Sequence, residues 1–260
     1  MGNEPDCGRD KMSERTTVIL TNWKRPGNLS KIIDAFQSQT VMPAAMLLVD
    51  NHPEEEPEFA FVDTENFADV YRFETNAGPC CRFAGASFVT TEFVLFFDDD
   101  LMPGKGAIEA YQDQADRLNG EFATLSDVGR IYRGNAEKGY SIRRRNCRRK
   151  TDGPAKVDMT CRAHLVRSEY VSVAVRDRIR AAKDGATPSM LRHDDIFLSQ
   201  GIQLETGWAS YLARDVGHDA KLRHKDLPAP HSGNGLPNHD GSRNELVNWY
   251  AEKGWGSKWR

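Results

Sequence analysis

Phe93-Val94-Leu95-Phe96-Phe97 runs without a break into Asp98-Asp99-Asp100. The five apolar residues, rich in aromatic and β-branched side chains, predict a short, fully buried strand. Three carboxylates at its end repel one another, and such a cluster is costly unless a cation or strong donors sit among them. A hard divalent ion such as Mn²⁺ or Mg²⁺ takes oxygen ligands, commonly one or two carboxylates completed by substrate phosphates. Bound there, it offsets charge on a leaving diphosphate. The plainer alternative is a solvated acidic turn. A bare D-x-D is common, and its place behind an apolar strand is what gives it weight.

Upstream, the pattern repeats. Thr16–Thr21 predicts a buried strand, Asn22–Pro26 a loop, and Pro26 a first helical turn. Leu29, Ile32, Ile33 and Phe36 then follow helical spacing. Ala45–Val49 predicts a second strand ending in Asp50 and Asn51, and Asp69–Phe73 a third, broken by Asn76-Ala77-Gly78-Pro79. Arg82–Val89 fits a short helix. Alternating strand and helix imply an α/β chain with a mostly parallel central sheet and flanking helices. Ligands of such sheets bind beyond the carboxyl ends of the strands, so Asn22–Arg25, Asp50–Asn51, Asn76 and Asp98–Asp100 can share one crevice.

Downstream the chain is less regular. Phe122–Ser126, Gly129–Tyr132 and Val157–Val166 predict strands. Ser168–Arg180 predicts a helix, as do Asp194–Gln200 and Leu246–Ala251, and Leu227–Asn238 an extended loop. His193-Asp194-Asp195 opens the second of these helices, where Asp194 can cap while Asp195 is left for chemistry. His231–Arg243 holds Gly-rich backbone suited to phosphates, an Arg243 able to grip a diphosphate with both nitrogens, and His231 and His239 as metal ligands or phosphate donors. For each, the alternative is an ordinary surface loop. Arg143, Arg144, Arg145, Arg148 and Arg149 form a basic run that could hold an anionic acceptor, or simply be a solvated loop.

Of the 260 residues 39% are hydrophobic and 28% charged, with a net charge of -3, which excludes a disordered chain and argues against a general polyanion-binding surface. No apolar run is long enough to span a bilayer, and the first residues lack a signal-peptide core. Cys7, Cys80, Cys81, Cys147 and Cys161 show no zinc-type pairing and suit reduced thiols, so a cytoplasmic setting is expected, or a host cytoplasm for a viral chain. His218, His224 and His231 fit no zinc spacing. The phosphate-loop, dinucleotide-binding, hydrolase-elbow and zinc-protease motifs are absent.

In order, the chain shows a strand with Thr21-x-x-x-Arg25, a strand ending near Asn51, Asn76 followed by Arg82-Phe83, a strand with Asp98–Asp100, Asp194-Asp195 before a helix, and His239-x-x-x-Arg243 before Asn248-Trp249. This order resembles the exostosin-like retaining glycosyltransferases, over roughly Thr16 to Tyr250. The resemblance implies a GT-A-type fold in one domain over 15–260. A nucleotide-sugar-binding half (15–104) would precede an irregular acceptor-side half (105–260), behind a disordered lead-in (1–14). It implies a donor site of Thr21, Arg25, Asn51, Asn76, Arg82, Asp98 and Asp99, with Mn²⁺ or Mg²⁺ on Asp100 and Asp98, helped by His239. Asp195, Asp194 and Arg243 would be catalytic, and transfer would retain configuration. The expected donor is a nucleotide-diphosphate sugar, a UDP-sugar foremost; the acceptor is a glycan, a lipid head group or DNA. His193 stands where the family usually has a disulfide-forming cysteine, which argues against a lumenal role. The rival expectations are a DNA-modifying enzyme acting on hydroxymethylated bases, a nucleotidyltransferase, and a non-catalytic sugar- or nucleic-acid-binding module.

Overall fold

A computed structural model describes residues 14–51, 65–135, 137–143, 155–213, 224–229 and 239–257. Thirteen strands are described: β1 (Thr16–Asn22), β2 (Ala45–Asp50), β3 (Asp69–Arg72), β4 (Phe93–Asp98), β5 (Leu101–Met102), β6 (Leu125–Ser126), β7 (Val128–Asn135), β8 (Gly139–Arg143), β9 (Ala155–Val157), β10 (Met159–Cys161), β11 (His164–Arg167), β12 (Ser210–Leu212) and β13 (Lys225–Asp226). The helices are α1 (Pro26–Gln37), α2 (Phe83–Ala86), α3 (Ala107–Arg117), α4 (Val171–Lys183), α5 (Asp194–Thr206) and α6 (His239–Glu252).

The main sheet has the order β3-β2-β1-β4-β11-β6-β12-β9. β3, β2, β1 and β4 are all parallel, which brings their carboxyl ends to one edge. Register places Thr21 opposite Asp98 and Asn22 opposite Asp50. β11 then enters antiparallel to β4 and carries residues of the second half alongside the first.

The core follows from the two-residue period of the strands. Val18, Leu20, Phe93, Leu95 and Phe97 face one side, against Leu29, Ile32, Ile33 and Phe36 of α1 and Ile108 and Tyr111 of α3. Ile19, Val94 and Phe96 face the other, among Val173 of α4, Ile196 and Phe197 of α5 and Leu246 and Tyr250 of α6. Phe97 meets Phe36 edge-on at 5.1 Å, so the strand that delivers the aspartates is anchored by its last apolar residue. Gly129 is dictated by crowding, since a Cβ there would sit 2.8 Å from Val157 Cγ2 and 2.9 Å from the Met159 carbonyl.

The second half departs from the expectations. Val157–Val166 is not one strand but parts of β9, β10 and β11, split by a bend at Asp158 and by a turn at Arg162, whose φ of 76° ends any strand. Phe122–Ser126 contributes only the two residues of β6, and α3 was not foreseen. α6 starts at His239, so Arg243 lies on a helix and not in a loop. The cap of α5 is His193, and Asp194 is the first helical residue rather than the cap.

His224, read as belonging to no metal site, is buried against α3, with Nε2 3.0 Å from the Tyr111 hydroxyl and its ring edge-on to Phe97 at 5.0 Å. Burial pushes its pKa from 6.5 down to about 4. The unfolded chain therefore takes up this proton first, and stability falls as pH drops from 6.5 towards 4. His224→Gln should lose about 2 kcal/mol less than wild type between pH 7 and pH 5 in urea titrations, since every other titrating group is common to both chains. Equal losses would show that His224 charges freely in the fold.

Candidate active site

The loop after β1 turns sharply because Lys24 takes a left-handed φ of 61°. That turn aims the Trp23 N–H at Asp99 Oδ2 (2.6 Å) and brings Arg25 Nη1 onto Asp99 Oδ1. Asn28 Nδ2 donates to the Asp99 carbonyl at 2.9 Å. Asp99 is thus turned into the protein. Burial pushes its carboxyl up to about 7, against the pull of Arg25 and the Trp23 N–H. Asp98 and Asp100 alternate to the other side, and each keeps 29% of its side chain exposed.

Asp98 Oδ1 accepts from Arg82 Nη2 at 2.6 Å, while Arg82 Nη1 reaches Asp194 Oδ2 at 3.2 Å. Arg82, only 5% exposed, bridges the end of β4 to the start of α5. Burial alone would lower its pKa, but Asp194 and Asp98 raise it, so it is a fixed cation. Asn51 Nδ2 donates to Asn76 Oδ1 at 2.9 Å, and Asn51 Oδ1 accepts the Ala77 N–H at 2.8 Å. Asn51 therefore holds the Asn76–Gly78 turn against the end of β2. Gly78 has a φ of 75° and lies under Arg192, whose Cγ would be 3.5 Å from an added Cβ.

At the far wall, Arg243 Nη2 donates to Asp195 Oδ2 at 2.5 Å, and its Nε lies 3.4 Å from His193 Nδ1. His193 Nε2 is 2.8 Å from Ser242 Oγ. The two adjacent carboxyls are pushed apart. Burial raises Asp194 despite Arg82; burial would also raise Asp195, but Arg243, with His193 and His164, holds it below the usual range. Such divergence marks residues suited to different tasks.

These groups line one cavity of about 820 Å³, within the range of small-ligand sites. Thr21, Arg25, Asn51, Asn76, Arg82, Asp98, Asp99, Asp100, Asp194, Asp195 and Arg243 all reach it. Five buried polar atoms in its wall, Thr21 Oγ1, Trp23 Nε1, Arg25 Nε, Arg82 Nε and Arg243 Nη1, have no hydrogen-bond partner among the described residues. Trp23, in the loop expected to reach the crevice, lines it too; Arg130, Arg162, His164, Arg192 and Asp226 also line it and were not foreseen. The left-handed turn that presents Arg162 leaves no mark in a sequence of ordinary residues. His239 heads α6, but its side chain lies outside the described residues, as does that of Arg143. Arg144, Arg145, Arg148, Arg149 and His231 lie outside them altogether.

Asp98 and Asp100 are the two carboxylates that fit a divalent cation. Burial and the neighbouring Asp98 raise the pKa of Asp100, the signature of a carboxylate short of positive charge. Among the described residues no group of three or more His, Cys, Asp or Glu gathers for a metal. The pair fits an ion that draws its remaining ligands from phosphate and water.

The architecture is a mixed α/β fold with a large, mostly parallel sheet flanked by helices. It is similar to crystal structures of S. aureus TarS, a glycosyltransferase. TarS itself gives a TM-score of 0.57 at 14% identity over 95% of this chain and 40% of that one. TarS 1-349 gives 0.53 at 14% identity over 82% and 60%. The same fragment in complex with UDP gives 0.51 at 14% identity over 83% and 61%. The chain thus spans less than two thirds of the length of each. No family model and no curated protein matches it. The resemblance to exostosin-like enzymes rests on its motifs. Among the described residues no helix is long and apolar enough to cross a membrane.

Proposed function

We propose that the crevice binds a nucleotide-diphosphate sugar, a UDP-sugar foremost, and transfers its sugar to an acceptor hydroxyl. The observation that carries this reading is the gathering of Arg25, Arg82 and Arg243 around Asp98–Asp100 and Asp195 in one cavity. UDP bound to the TarS fragment of like fold supports it. Mn²⁺ or Mg²⁺ held by Asp100 and Asp98 would offset negative charge on the leaving diphosphate. Arg25 and Arg82 supply fixed positive charge beside it, already oriented before the substrate arrives. Asn51 and the Asn76–Gly78 turn shape the nucleotide end. Asp195, kept ionised by Arg243, faces the transferred sugar and favours positive charge as the glycosidic bond weakens. Retention of configuration follows from the exostosin-like resemblance. A glycan, a lipid head group or a hydroxymethylated base can supply the hydroxyl, and the reduced cysteines favour a cytoplasmic setting.

A thermal-shift panel of UDP-, GDP-, CMP- and dTDP-sugars, each with and without Mn²⁺, tests this. A donor at 100 times its Kd stabilises by about 2.7 kcal/mol. At about 2–4 °C per kcal/mol, Tm should rise by roughly 5–10 °C for one nucleotide class, and only with metal. A panel without any shift would overturn the proposal in favour of a nucleotidyltransferase or binding module.

A further inference from the structure

His164 lies on the crevice wall at the seam between its two ends. β11 sets it opposite Phe96, two residues before Asp98, and Arg82, Asp195 and Asp98 all act on it electrostatically. Its ring is 1% exposed and its Nδ1 lies 2.8 Å from Thr160 Oγ1. Thr160 Oγ1 donates its proton to Thr124 Oγ1 at 2.8 Å, and Thr124 Oγ1 donates in turn to Ser210 Oγ at 2.8 Å. Gln203 Nε2 also donates to Ser210 Oγ, at 2.9 Å, so the chain is anchored on α5.

A hydroxyl has one proton, and that of Thr160 is committed to Thr124. Towards His164, Thr160 can only accept. Nδ1 therefore carries the ring proton, and Nε2 is the nitrogen left for the crevice, with a lone pair. Burial pushes the ring's pKa down to about 4, so it is neutral at neutral pH. Its surroundings are cationic donors that suit phosphate and carboxylates that suit a metal or an electron-poor sugar. A neutral acceptor at fixed tautomer suits neither phosphate nor metal-bound diphosphate; it matches an O–H group.

We infer that His164 Nε2 accepts a hydrogen bond from one hydroxyl of the transferred sugar, making it a specificity-determining residue of the donor site. This rests on the nucleotide-sugar reading above. A buried site built to accept from a hydroxyl rejects the analogue that lacks it, because the acceptor is then left unpaired.

The test is calorimetric titration of UDP and of UDP-hexoses, with Mn²⁺, into wild type and His164→Phe. UDP affinity should agree within about twofold between the two chains. The gain in affinity of the UDP-sugar over UDP should fall about 5–10-fold in the variant, as for the loss of one neutral hydrogen bond. Monodeoxy UDP-sugars should show the same loss at one ring position in wild type, and none at that position in the variant. Equal weakening of UDP and UDP-sugar would reduce His164 to scaffolding and overturn the inference, and so would a variant indistinguishable from wild type. If His164→Phe fails to fold, a deoxy series with no affected position in wild type overturns it alone. Wild type that does not bind UDP at all would instead sink the nucleotide-sugar reading, and this inference with it.

Discussion

Asp100→Asn is expected to lower kcat/KM for sugar transfer by about 10²–10³-fold while leaving the fold as stable as before, or slightly more so. Among the described residues the carboxylate's one ion-pair partner is Arg25 Nη1, 3.6 Å away and engaged with Asp99. Burial and Asp98 push its pKa up, so the ionised form is disfavoured in the folded chain. A raised acid pKa means that the folded state holds its proton longer than the unfolded one, so at neutral pH this group subtracts from stability. Neutral Asn removes that penalty. The same change removes one of the two carboxylates that fit the cation, and loss of one strong electrostatic contact to developing charge costs about 2.7–4 kcal/mol in the barrier. Steady-state kinetics with a UDP-sugar, beside thermal melts of both chains, check this. Loss of activity with a collapsed melting temperature would assign Asp100 to the scaffold, and unchanged kinetics would remove it from the site.

Arg82→Met should behave in the opposite way, with a stability loss of about 3–5 kcal/mol. Arg82 is buried between Asp98 and Asp194, and its removal strands Asp194, whose own burial already raises its pKa. A buried charge without its partner costs far more than the pair contributed when intact. Asp194→Asn in the same chain should recover a large part of the loss, because the stranded charge is gone. Urea denaturation of wild type, the single variant and the double variant reads all three values. A cost below about 1 kcal/mol for Arg82→Met would mean that water reaches Asp194 freely. The triad would then not tie β4 to α5.

The donor half was legible because its elements are local and periodic. Thr16–Thr21, Pro26–Phe36 and Phe93–Phe97 each declare their type within a few residues, and the parallel-sheet rule then gathers their ends. Arg25, Arg82 and Asp98–Asp100 thereby reach one crevice although they lie far apart in the chain. What the sequence hid depends on distant partners. Nothing local shows that Asp99 turns inward to Arg25 and the Trp23 N–H while its neighbours face out. His164 and Arg162 sit in a stretch that reads as one strand, and a bend at Asp158 and the left-handed turn at Arg162 break it. Arg243 is placed by a helix whose Gly- and Asp-containing start carries the signature of a loop. His224 fits no zinc spacing, and nothing local shows that Tyr111 and Phe97 close around it.

The central claim is that Asp98 and Asp100 share a divalent cation with the diphosphate of a nucleotide sugar. Electron paramagnetic resonance of Mn²⁺ tests it most directly, because free Mn²⁺ gives a sharp six-line signal that fades on binding. With UDP present, wild type should quench that signal well beyond UDP alone, and Asp100→Asn should not. Quenching that is equal in both chains, or absent from wild type while UDP still binds, would contradict the claim.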